Sequence, residues 1–322
     1  MEPQKEPNLN YLPYPPQSKP ADGEIDLREL FKALWKGKWT IIATTFVFAI
    51  GSILYALSLP NIYKADALLA SAENSSAGGL SQMAGQFGGI AALAGVNLNN
   101  SSISQADLAV EVLKSRHFIE SFIEKHGLLA SVMAVKGWDL KSNKLIFDED
   151  LYNVNSDKWL RKDEGLRGAK PSPQEASQFF KKEFFKISKD TDSGLYKITI
   201  EHYSPYVANQ WVHWLVEDIN KVMRERAIID TSKNLAYLNT QLEKTAVTDM
   251  QNMFYKLIEE QTKSLMLAEA QQEFVFKTVD PAVIPDINFR PMRSIIVIAS
   301  TLFGLILSCS VLLIKLAFTK KK

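Results

Sequence analysis

Apolar residues fall into two unbroken blocks and, between them, a series of periodic stretches. Trp39 to Leu59 and Ser294 to Ile314 each run 21 residues without a charge. At ~1.5 Å per residue either helix spans about 30 Å, the thickness of a bilayer's hydrocarbon core. Both blocks, residues 39–59 and 294–314, are therefore read as transmembrane helices. A cleaved signal peptide fits the first poorly, because 38 residues precede it and its apolar stretch exceeds the usual ~7–15 residues. Arg28, Lys32, Lys36 and Lys38 lie before the first block, and Lys315, Lys320, Lys321 and Lys322 after the second. The excess of bases on those flanks predicts both termini in the cytoplasm and residues 60–293 outside it.

Six prolines crowd residues 1–23, a composition that cannot bury a core and reads as a disordered cytoplasmic tail. Residues 24–38 follow, with Leu27, Leu30, Phe31 and Leu34 on one helical stripe and Trp35 at its end, an interfacial helix entering the first span. Beyond Pro60, residues 61–70 have strand character. Gly78, Gly79, Gly85, Gly88, Gly89 and Gly95 then mark a glycine-rich loop that lacks the Lys-Ser/Thr ending of a phosphate-cradling one. Asp107 to His126 is periodic as one amphipathic helix. Ser172-Pro173-Gln174-Glu175 is a capping box opening a helix that runs through Phe184. Leu195 to Tyr203 alternates as a half-buried strand.

The longest pattern starts at Ser204-Pro205. From Tyr206 to Asp280 there is neither glycine nor proline. Leu235, Leu238 and Leu242, then Met250, Phe254 and Leu257, step by threes and fours, with one slip between the sets. That predicts a long helix over about 205–273, either kinked near the slip or continuous, in which case it would reach roughly 100 Å. The rest of the domain is too small to cover such a stripe, so these six residues are expected to contact other copies of the chain. Phe274 to Val279 regains strand character. Pro281, Pro285 and Pro291 then predict an extended approach to the second span. Within the spans, Ser300, Gly304 and Ser308 recur every fourth residue, as do Ser52 and Ala56, small-residue faces that allow close helix packing.

Composition narrows the chemistry. A net charge of +1 gives no basic surface for nucleic acid, which is not expected as a partner. The single cysteine, Cys309, rules out an intrachain disulfide framework. His117, His126, His202 and His213 have no metal-ligand spacing and read as surface or partly buried histidines. No serine, cysteine or lysine sits in a nucleophile motif, so neither catalytic, cofactor nor metal residues are expected.

Four stretches resemble the Wzz-type chain-length determinants, bacterial inner-membrane polysaccharide co-polymerases. They are Glu24 to Leu30 with Trp35 and Trp39, the Gly-Gly-Ile-Ala-Ala-Leu-Ala-Gly sequence from Gly88, Tyr255 to Ala268, and Val279 to Pro285 with Pro291 and Arg293. The likeness extends over nearly the whole chain apart from its first ~22 residues. It implies an α+β architecture: a periplasmic α/β base between the two spans, a long extended helix, and a ring-forming homo-oligomer. It further implies a non-catalytic role beside a membrane polysaccharide polymerase, setting the modal length of O-antigen or a related lipopolysaccharide glycan. The growing lipid-linked polysaccharide is a second implied contact. Kinase relatives carry a nucleotide-binding domain after the second span, where this chain has residues 315–322, so autokinase activity is not expected. Three other readings stay open: a two-span periplasmic sensor, for which an output domain is wanting, a membrane scaffold for another exopolysaccharide export system, and a glycan-modifying hydrolase whose carboxylates are distant in sequence.

Overall fold

A computed structural model describes residues 34–35, 37–72, 104–165 and 167–320. The proline-rich tail, most of the interfacial helix and the glycine-rich loop fall outside the described residues. Two units are present, one built on the terminal helices and the other on residues 59–291.

In the terminal unit, α1 (Lys38–Ser58) and α8 (Arg293–Lys320) are long and apolar enough to cross a membrane. They pair antiparallel, with Phe48 against Phe303 edge to face and the Arg293 guanidinium donating from Nε to the Ala56 carbonyl at 3.2 Å.

The second unit is built on an antiparallel sheet of order β6-β7-β1-β8, formed by β1 (Tyr63–Ser71), β6 (Phe185–Lys189), β7 (Tyr196–His202) and β8 (Phe276–Asp280). In β1 the inward residues are Ala65, Ala67 and Leu69, and the register sets Ala65 opposite Ile200 and Ala67 opposite Ile198. Small side chains beside large ones leave room for a helix to lie close on the sheet. That helix is α6 (Pro205–Lys244), whose Ala208, Trp211, Val212, Leu215, Ile219 and Met223 form the buried stripe. Strand β7 was expected to be half-buried, yet six of its seven residues are buried. On its polar face Thr199 and Glu201 are buried as well, Glu201 beside its ion partners Lys186 and Arg290.

Helices α2 (Gln105–Lys114), α3 (Arg116–Lys125), α4 (Leu129–Met133) and α5 (Pro173–Glu183) complete the core through Leu113, Ile119, Phe122 and Phe180. The single helix expected over 107–126 is two, split at Ser115, whose hydroxyl accepts from the Phe118 N–H and caps α3. At α5, Ser172 Oγ accepts from the Glu175 N–H as the capping box requires. The Glu175 carboxylate turns outward instead, to a bidentate pair with Arg161 at 2.5 and 3.0 Å. Two small hairpins, β2 (Val135–Asp139) with β3 (Lys144–Phe147) and β4 (Tyr152–Asn153) with β5 (Lys158–Trp159), lie between α4 and α5.

The long helix is not continuous. It ends at Lys244, and α7 (Thr248–Ala270) begins after a short break. Arg224 of α6 reaches the Gln271 carbonyl at the end of α7, so the two helices fold back on each other as an antiparallel hairpin. At ~1.5 Å per residue, α6 is about 60 Å long and α7 about 35 Å, in place of one extended rod. Thr245 and Val247 are both extended, and with Thr248 they place three β-branched residues within four positions, which weakens the helix there. Gln251 caps the break by donating to the Thr245 carbonyl at 2.8 Å.

Candidate functional site

The residues with functional expectations lie in three places, two in the unit of residues 59–291 and one in the terminal pair. The first is the α6–α7 hairpin. Leu235, Leu238 and Leu242 on α6, and Phe254 with Ile258 and Leu265 on α7, are half-covered apolar positions toward the turn of the hairpin and along α7. Spacings of 3 and 4 on α6 and of 4 and 7 on α7 put each set on one face, so much of the predicted stripe is taken up within the chain. Met250 and Leu257 stay exposed, and Met253 joins them on the same flank of α7.

The second place is the segment carrying Pro281, Pro285 and Pro291. Its start is fastened by a residue that sequence reading missed. Asn220, 4 % exposed on α6, accepts with Oδ1 from the Val275 and Phe276 N–H groups at 2.9 Å and donates with Nδ2 to the Phe276 carbonyl at 3.0 Å. Its end pairs with Ile62, which donates to the Arg290 carbonyl at 2.8 Å and accepts from Phe289 at 2.8 Å. Between these anchors Ala282 is buried and its carbonyl meets His213, while Val283, Ile284 and Ile287 project outward, Ile287 being 81 % exposed.

The third is the helix pair. Ser52, Ala56, Gly304 and Ser308 are buried and Ser300 is half-buried. Gly304 lies against Phe48, where an added Cβ would come within 2.8 Å of the Phe48 Cβ and Cγ. These small-residue faces are occupied by the chain's own second helix.

Charged groups in the unit of residues 59–291 act as clamps. Asp218 on α6 takes Lys125 and His126 from the end of α3, with His126 stacked on Trp214 at 4.1 Å. Lys189, Tyr196 and Ser104 hydrogen-bond Asp107 and hold its carboxyl down to about 2. His202 departs from the expectation of a surface or partly buried histidine: it is fully buried between Phe184 and Trp211. Its Nδ1 accepts from the Ser204 N–H, its Nε2 lacks a hydrogen bond of normal geometry beside the Ser131 backbone, and burial pushes its pKa down to about 4. Among the described residues no group of His, Cys, Asp and Glu is arranged to hold a metal.

Comparison with known proteins gives one sequence match. The family described as Wzz, chain length determinant protein, matches residues 23–126. No curated protein matches the chain. Among solved structures, a full-length bacterial polysaccharide co-polymerase is 13 % identical, with 92 % of this chain and 99 % of that one covered and a TM-score of 0.37. A fragment of WzzB, a polysaccharide co-polymerase from Salmonella Typhimurium, is 12 % identical over 71 % of this chain and all of its own, with a TM-score of 0.25. The matched segment, about a third of the chain, encloses the first apolar helix, strand β1 and the α2–α3 pair, and over it the chain is similar to the Wzz chain-length determinants.

Proposed function

We propose that the protein regulates the modal length of a surface polysaccharide, O-antigen or a related lipopolysaccharide glycan, as a non-catalytic oligomer beside the membrane polymerase. The match over residues 23–126 carries this reading. In it, α1 and α8 cross the inner membrane with both termini in the cytoplasm, and residues 60–293 form the periplasmic domain. Residues 1–23 and 315–322 are the cytoplasmic tails and residues 24–38 the interfacial helix.

Assembly is supported by two apolar surfaces that the chain leaves open. One is the flank of α7 bearing Met250, Met253 and Leu257; the other is Val279, Val283, Ile284 and Ile287 along and beyond β8, a sheet edge. Exposed apolar residues beside an unpaired strand edge favour contact with another chain, here a second copy. In such an oligomer the hairpins and the proline-bearing segments of neighbouring protomers meet, and the surface they share biases how long the polymerase keeps extending its product.

Deletion of the gene tests the role. The gel ladder of lipopolysaccharide loses its modal cluster, and a plasmid copy restores it. An unchanged ladder, together with unchanged lengths of every other surface polysaccharide, refutes the proposal.

A further inference from the structure

A cleft of about 640 Å³ lies between α3, the start of α5 and the β4–β5 hairpin, remote in sequence from the hairpin and proline segment discussed above. Its size is that of a pocket for a small ligand. Trp159 and Tyr152 form its aromatic wall, with ring centroids 4.9 Å apart. Glu120, Glu124, Asp157 and Lys170 supply polar groups around it.

The wall is held in place more firmly than its local structure accounts for. Two strands of two residues each have little stability of their own. Here the Tyr152 hydroxyl donates to Asp157 at 2.5 Å, and Asp157 sits at a left-handed φ of 51° that closes the turn. Tyr152 also packs on Phe147. Trp159 is thereby fixed with part of its surface open to the cleft. A rigid aromatic face ringed by acceptors and one cationic donor suits a molecule that has apolar C–H faces and many hydroxyls. Sugars have that chemistry: ring C–H groups lie on the indole while hydroxyls donate to carboxylates and accept from an ammonium. Arg116 pairs with Glu120 at 3.6 Å, so Glu124 and Asp157 against Lys170 leave the cleft net negative, which disfavours uronic-acid and phosphorylated sugars.

We propose that this cleft binds a short stretch of neutral glycan, hexose or N-acetylhexosamine residues, with Trp159 as its stacking platform. The source of that ligand, the polysaccharide being extended, rests on the length-control reading. Binding itself does not.

Isothermal titration of the full-length protein in detergent tests it, with maltohexaose and chitohexaose as neutral probes, hexagalacturonate as the acidic probe and hexalysine as a cationic peptide. At least one neutral probe binds, Trp159→Ala weakens it by about tenfold or more, and Trp159→Phe largely retains it, as loss and conservation of one aromatic contact require. Thermal melts of both variants confirm that the fold is kept. Asp157→Asn, which leaves the indole in place, weakens binding less than Trp159→Ala. Absence of binding by both neutral probes overturns the proposal, as does binding unaffected by Trp159→Ala. Preference for hexagalacturonate overturns the charge argument, and binding of hexalysine alone makes the cleft a peptide site. If gene deletion changes the glycan ladder while titration fails, the cleft assignment falls and the length-control reading stands.

Discussion

Asn220 is a single side chain on which the base of the hairpin depends. Its three hydrogen bonds, at 2.9, 2.9 and 3.0 Å, tie the middle of α6 to the backbone of Val275 and Phe276, where the chain leaves α7 and enters the sheet. Asn220→Leu keeps the volume and removes all three. Leaving one buried backbone group unsatisfied costs ~1–3 kcal/mol, and the losses at one site are not additive, so about 3 kcal/mol is expected for the set. For a domain of this size ~1 kcal/mol moves the melting temperature by 2–4 °C, which predicts a fall of roughly 6–12 °C. The measurement is the thermal melt of the full-length protein in detergent. Asn209, about three turns earlier on the same helix, serves as the control. Its buried Oδ1 has no partner among the described residues, so Asn209→Leu is neutral or stabilising. A drop of less than about 2 °C for Asn220→Leu, or equal effects at the two asparagines, would refute the assignment of Asn220 as the anchor.

Other outcomes follow from the same geometry. Gly304→Ala drives a methyl into Phe48 and costs about 1–3 kcal/mol of thermal stability in detergent, and the double variant with Phe48→Ala recovers part of it; additive losses would show that the two residues do not meet. His202 binds its proton at about 4 when folded and at 6.5 when unfolded, so stability is intact above pH 6.5 and falls as the pH drops toward 4. The full loss is about 3 kcal/mol, and His202→Gln flattens that part of the stability curve measured by denaturant titration; an unchanged slope contradicts the assignment. Leu238→Ala destabilises the fold by about 1–2 kcal/mol because its side chain is half-covered in the hairpin, whereas Met250→Ala leaves the melt unchanged and lowers the copy number seen by native mass spectrometry.

What the sequence made legible was whatever a local pattern encodes. The uncharged runs fall on the apolar helices α1 and α8, and Ser172-Pro173 falls at the start of α5, because length and capping chemistry act within a few neighbours. The break in the long helix was legible only as an open alternative of a kink at the slip, because it uses no glycine or proline; the β-branched trio at Thr245, Val247 and Thr248 carries it instead. Ser115 is as compatible with a helix interior as with a cap, and only its bond to the Phe118 N–H distinguishes them. Asn220, Glu201 and His202 depend on partners brought from other strands and helices. Glu201 meets Arg290 from far along the chain, and an alternating pattern offers no warning that its polar face is covered. The aromatic wall at Tyr152 and Trp159 likewise exists only once a short hairpin closes.

In the proposed role, assembly through the exposed hairpin flank sets the length of a glycan. The decisive measurement is the glycan length distribution of a gene deletion complemented with Met250→Glu/Leu257→Glu, at exposed positions where added charge would break the proposed contact between copies but not the fold. The expected result is a folded, membrane-inserted protein of reduced copy number and a ladder without its modal cluster. A variant that fails to assemble yet restores the wild-type ladder would contradict it.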